Sequence, residues 1–159
     1  MVSSDSKYDK VMRKEKGAQF SEQEKNGLKI FRNNCAVCHK EPLFTSTTFT
    51  SNGLKMDSLL KDVGRYAITH NPTDSMLFKI PTLRNVELTY PYFHDGGAAT
   101  LTEAVDIMGR LQLGKKFSQE ENASIVAFLK TLTGEQPSFK LPQLPPSSDK
   151  TPRPEPFAK

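Results

Sequence analysis

Cys35-Ala36-Val37-Cys38-His39 constrains this chain more than any other stretch. Two thiols separated by two residues can reach the two vinyl groups of one porphyrin, and the histidine that follows at once is then held under the iron. C-x-x-C-H is the attachment signature of c-type haem, with the histidine as proximal ligand. It predicts one covalently bound haem c, attached through Cys35 and Cys38 and ligated by His39. A structural disulfide, a redox pair or half a zinc site would use the same two cysteines. Zinc needs two more ligands, and the sequence offers only His70 and His94, with no third cysteine. A thioredoxin-like pair follows a strand, whereas this one follows a predicted helix.

The helices announce themselves by their starts. Ser21/Glu24, Thr100/Glu103 and Ser118/Glu121 each place a hydroxyl three residues before a carboxylate, so that each side chain satisfies the other's free backbone donor. The first helix is expected to run to about residue 33, with Leu28 and Phe31 on one face and Gly27 offering a close approach. The third runs to about Thr133, with Ile125, Phe128, Leu129 and Leu132 on one stripe and Gly134 as a left-handed cap. The middle helix is expected to be short, with Leu101, Ala104, Val105 and Met108 aligned, and another short helix is expected over Met56 to Lys61. Residues 41–52 and 71–97 read as long structured loops, and loops of that length usually wrap something functional.

The resulting expectation is an all-α, cytochrome-c-like single domain whose long loops wrap a covalently bound haem. The helices over 21–33 and 118–133 should cross at Gly27. Residues 1–20 form an N-terminal arm, 21–136 the haem domain, and 137–159 a Pro-rich C-terminal tail, since seven of the eleven prolines fall there. Only 36% of the residues are hydrophobic, a thin supply for a core, which a bound macrocycle would supplement.

Other classes are set aside by pattern. No apolar run approaches the roughly 18 residues that cross a bilayer. The net charge is +4, but the lysines are interleaved with acids and form no stripe for nucleic acid. The first residues lack the charged-then-apolar pattern of a secretory signal. Covalent haem is assembled outside the bacterial cytoplasm, so a mature or truncated periplasmic chain is expected.

The far side of the iron decides function. A thioether ligand favours reduced iron and marks an electron carrier; an open position marks an enzyme. Met56, Met76 and Met108 are candidates, as are His70, His94 and several tyrosines. Met108 on an apolar helical stripe is, by itself, more often core packing than a ligand, and spacing alone does not choose.

A wider pattern bears on the choice. Phe78-Lys79-Ile80-Pro81-Thr82-Leu83-Arg84-Asn85 and Leu88-Thr89-Tyr90-Pro91-Tyr92-Phe93-His94-Asp95-Gly96 resemble the bacterial di-haem cytochrome c peroxidases. So do Ser6 to Gly27, Asp62-Val63-Gly64-Arg65, the segment from Ala104-Val105 to Gly114, and Ile125 to Gly134. The resemblance covers about residues 6–146 and corresponds to the C-terminal, electron-transferring haem domain of such an enzyme. It implies that Met108, fourteen residues after His94, is the distal ligand. It also implies that Arg84 and Arg65 lie near the haem, with Arg84 suited to a propionate, and that His94 has a structural or electron-path role. A calcium ion is implied between the two haem domains, bound in part by the backbone carbonyls of Thr89 and Pro91.

The peroxide-reducing haem of that family has its own C-x-x-C-H in a first domain, and this chain has one such motif. The resemblance therefore implies an electron-transfer domain that feeds a peroxidatic haem domain and draws on a small cytochrome c or cupredoxin. Homodimerisation is implied as a family trait that depends on the missing half. An autonomous mono-haem periplasmic carrier is the alternative, and a mono-haem enzyme with an exchangeable sixth ligand is a third.

Overall fold

A computed structural model describes residues 4–51, 62–136 and 150. The elements follow in the order α1 (Lys7–Met12), α2 (Glu22–Asn34), β1 (Phe49–Ser51), α3 (Tyr66–Thr69), β2 (Leu77–Lys79), α4 (Leu101–Leu113) and α5 (Gln119–Lys130). Single 3-10 turns lie at Pro72–Asp74 and Val86–Leu88. The helix expected over Met56 to Lys61, and the tail from 137 apart from Lys150, lie outside the described residues.

All three expected capping boxes form, at Ser21, Thr100 and Ser118, and Ser6/Asp9 makes a fourth at the head of α1. Such a cap is worth about 1 kcal/mol to the helix it starts. Helices α2 and α5 cross in close contact because Gly27 has no side chain. A Cβ there would collide with the carbonyl of Ser124 and stand 2.8 Å from Cβ of Phe128.

The crossing closes a core of aromatic rings. Phe31, Phe44 and Phe128 are essentially inaccessible. Tyr8 meets Phe44 edge-on at 4.9 Å, and Phe31 meets Phe128 at 5.2 Å. Rings in such tilted pairs add about 0.5–1.5 kcal/mol beyond the area they bury. Tyr8 and Phe20 belong to this core, so the segment before residue 21 is packed into the same body. The backbone N–H of Tyr8 also donates to the Thr131 carbonyl at 3.0 Å.

Three expectations change. The middle helix is as long as α2, thirteen residues, and ends on Gly114, which takes the left-handed conformation at φ 61°. Gly134 is no left-handed cap: α5 ends at Lys130 with Thr131 in right-handed geometry, and the N–H of Gly134 donates instead to Oδ1 of Asn85 at 2.9 Å. The two loops also carry a small antiparallel ladder, β1 with β2, in which Phe49 pairs with Lys79 and Thr50 with Phe78. The molecule is helix-rich with a little sheet.

Candidate functional site

Helix α2 delivers the motif. Cys35 is its C-cap, and the N–H of His39 donates to the Cys35 carbonyl at 2.9 Å, so both thiols and the imidazole sit on one tight turn. Both cysteines are free thiols. Cys35 packs against the aromatic core, and burial, helped by neighbouring Cys38, pushes its thiol up to about 11. A redox or nucleophilic cysteine needs the opposite shift. Among the described residues no group of three or more His, Cys, Asp or Glu side chains could hold a metal ion, so the zinc reading finds no partners.

The orientation of His39 is fixed from its own loop. Nδ1 donates to the Phe44 carbonyl at 3.2 Å; a carbonyl only accepts, so Nδ1 carries the proton and Nε2 keeps the lone pair. Burial holds the imidazole below its ordinary value of 6.5, against the carbonyls of Phe44 and Pro81, which pull it up. The ring is therefore neutral near pH 7, the state a metal ligand requires.

Met108 sits on the stripe of α4 that begins with Leu101, Ala104 and Val105. Leu101 and Val105 pack on the core and Ala104 is buried, but Met108 is half-buried and belongs neither to the core nor to the side chains packed on it. One turn later, Nε2 of Gln112 donates to the Ser51 carbonyl at 2.8 Å and pins this end of α4 to β1. Met76 is half-buried beside β2, with left-handed backbone at φ 59°; His70 is exposed and edge-on to Tyr66. Met56 lies outside the described residues.

Arg84 corrects an expectation. It is buried, and all five of its N–H groups are committed: Nη1 and Nη2 fork onto the Asp9 carboxylate at 2.7 and 2.9 Å, Nη1 reaches Ser6 Oγ at 3.2 Å, and Nε and Nη2 both reach the Pro42 carbonyl at 3.0 and 2.7 Å. No donor is left for a propionate. Arg65 is exposed, with Nε 3.1 Å from Asp74 and its guanidinium 4.4 Å above the Phe49 ring. His94 stacks on Phe78 at 4.3 Å. Since Phe49 faces the Lys79 side of the ladder and Phe78 the Thr50 side, Arg65 and His94 rest against opposite faces. Thr89 and Pro91 are both exposed, beyond the Val86–Leu88 turn.

The donor set fits a covalently attached haem: two thiols on one turn, an imidazole oriented through Nδ1, and a half-buried thioether further along the α4 stripe. Sequence reasoning missed Phe44, Thr82 and Gln112 as supports, because Phe44 acts through its own carbonyl while the Thr82 hydroxyl and the Gln112 amide donate to the distant carbonyls of Leu43 and Ser51, pairings that no residue pattern marks. A groove of about 560 Å³ between α4 and α5, lined in part by Phe117, Asn122 and Val126, contains none of the expected site residues.

The chain is 48% identical over 160 residues to a cytochrome c551 peroxidase of Nitrosomonas europaea, a match covering 99% of this chain and 48% of that protein. A cytochrome c551 peroxidase of Pseudomonas aeruginosa is 39% identical, over 97% of this chain and 46% of its own length. Among solved structures, a MauG-like protein associated with microbial copper homeostasis matches with a TM-score of 0.69 at 31% identity, covering 82% of this chain and 52% of that one. The di-haem peroxidase BthA from Burkholderia thailandensis shares the fold at a TM-score of 0.66 and 22% identity, over 82% of this chain and 46% of its own. No protein-family model matches. The chain spans about half the length of the first two relatives.

Proposed function

The chain belongs to the bacterial di-haem cytochrome c peroxidase family, and from that membership we propose that it is the electron-transferring haem domain of such an enzyme, passing electrons to a peroxide-reducing haem in a domain these residues do not contain. Cys35 and Cys38 would hold a haem c through thioethers, with His39, through Nε2, and Met108 as the residues that would ligate its iron. A haem bound in this way supplies a one-electron iron couple, held high in potential by a thioether ligand. What the residues contribute is position: α2 presents the thiols, the Phe44 carbonyl aims His39, and Gln112 pins the helix that carries Met108.

The observation that supports the reading is that Leu101 and Val105 pack against the aromatic core from the α4 stripe while half-buried Met108, on the same stripe, is not among the side chains packed there. A packing methionine on that stripe would join Leu101 and Val105. Electrons would arrive from a small cytochrome c or cupredoxin in the periplasm. A calcium ion at the Thr89 and Pro91 carbonyls would need the rest of its roughly six to eight oxygen ligands from water and the other domain, and that domain would also contribute to any homodimer. The autonomous electron carrier is the second reading, favoured by the closed aromatic core.

Intact mass together with a visible spectrum tests the proposal. One haem mass added to the polypeptide, a low-spin spectrum, and no change on adding carbon monoxide or cyanide are expected. A colourless protein, or a high-spin iron that binds carbon monoxide, would overturn it. A second C-x-x-C-H domain encoded ahead of Met1 would decide between enzyme domain and free carrier.

A further inference from the structure

Three consecutive carbonyls of the loop after His39 are held by three consecutive residues of another segment. The Pro42 carbonyl accepts from the Arg84 guanidinium at 2.7 and 3.0 Å, the Leu43 carbonyl accepts from Thr82 Oγ1 at 2.6 Å, and the Phe44 carbonyl accepts from the Leu83 N–H at 3.1 Å. That last carbonyl also receives Nδ1 of His39. Thr82 Oγ1 accepts from the Arg84 N–H at 3.1 Å, which links two of the grips to each other.

Phe44 needs holding. Its backbone lies in the left-handed region at φ 52°, which a non-glycine residue adopts at a cost of about 1–3 kcal/mol, and such residues persist only where their surroundings over-determine them. Its ring is locked at the centre of the aromatic core, against Tyr8, Phe31 and Phe128. The side chain is thus anchored inward while the carbonyl is turned toward His39. Behind the grip, Arg84 is itself fixed by the fork to Asp9 on α1.

We propose that Thr82 and Arg84 are positioning residues for the proximal ligand: by clamping Leu43 and Pro42 they hold the Phe44 carbonyl on Nδ1–H of His39, and so set that ring's tautomer and its donor strength toward iron. The partner of a ligating histidine's second nitrogen fixes its orientation and raises its basicity. A firmer Nδ1–H bond makes Nε2 a better donor, which favours oxidised iron. The clamp therefore lowers the potential that the Met108 thioether raises. This inference rests on the haem reading above.

The test uses the haem-loaded protein with Thr82→Val, which keeps shape and removes the hydroxyl at an exposed position, and Arg84→Lys, which keeps charge and removes the fork. Both should retain covalent haem by mass and a low-spin spectrum. The midpoint potential should rise in each, and exchange of the His39 Nδ1 proton, read by NMR, should quicken roughly fivefold, the factor expected from loss of one neutral hydrogen bond. Lys25→Gln, on the far surface of α2, should change neither. If Arg84→Lys fails to fold, Thr82→Val decides alone. Variants that keep haem but show unchanged potential and exchange would overturn the clamp and leave Arg84 as an anchor of α1. Failure of the unsubstituted chain to carry haem would instead sink the functional reading, and exchange at His39 in that haem-free chain would still report on the clamp.

Discussion

Met108 is the residue on which the proposed electron transfer turns. Met108→Ala should lower the reduction potential and let cyanide or carbon monoxide reach the iron, both visible in the absorption spectrum; a spectrum that does not change would move the ligand to Met76 or a histidine. Cys35→Ser should leave one thioether, so haem should be retained more weakly in a denatured sample than by the unsubstituted chain. Asp9 carries a pH consequence. Burial raises its pKa, but hydrogen bonds from Arg84 and Ser6 outweigh that and hold it below the ordinary 3.8. A carboxylate depressed in the folded state contributes stability that is whole above its unfolded value and is lost as pH falls through the folded one. Acid titration followed by unfolding midpoints should therefore show stability draining below about pH 4. Asp9→Asn should flatten that limb and cost roughly 3 kcal/mol at neutral pH, since it leaves a buried guanidinium without its counter-charge. At this scale the turn that brings Cys35, Cys38 and His39 together could be anticipated from spacing alone. Arg84 could not, because the same guanidinium geometry serves a propionate or a buried aspartate, and only the fold brings Asp9 to it from seventy-five positions away.

Among the elements, the α2–α5 crossing carries the packing. Gly27→Ala must push the Ser124 carbonyl or Phe128 aside, and overpacking of this kind costs about 1–3 kcal/mol or more. A denaturant midpoint on the haem-loaded protein should fall accordingly, with an unchanged slope; an unaffected midpoint would mean the helices separate without penalty. The caps and the Gly27 contact were legible because each depends on residues within one or two turns. The β1–β2 ladder was not: strands of three residues are too short for alternation to emerge, and their partners lie across a long loop. Gly134 failed for a related reason. Its N–H found a tertiary partner in Asn85, which removed the need for a left-handed cap.

For the whole molecule, the proposed ligation leaves no vacant iron site, so this chain alone should not turn over hydrogen peroxide with a reduced donor; steady peroxide consumption by a preparation holding one haem per chain would contradict the assignment. The clasp between α1 and the end of α5 has a further consequence. Tyr8 bonds to Thr131, and Lys10 pairs with Glu135, so α1 and the described residues that follow α5 meet on one side. The body described by residues 4–136 thus begins and ends at a single doorway. A bridge of a few residues from Gln136 back to Ser6, with a new opening cut in an exposed turn elsewhere, should give a circularly permuted protein with the same architecture. A body threaded in this way can be spliced into a longer polypeptide like a cartridge, its neighbours on both sides pivoting about one shared point.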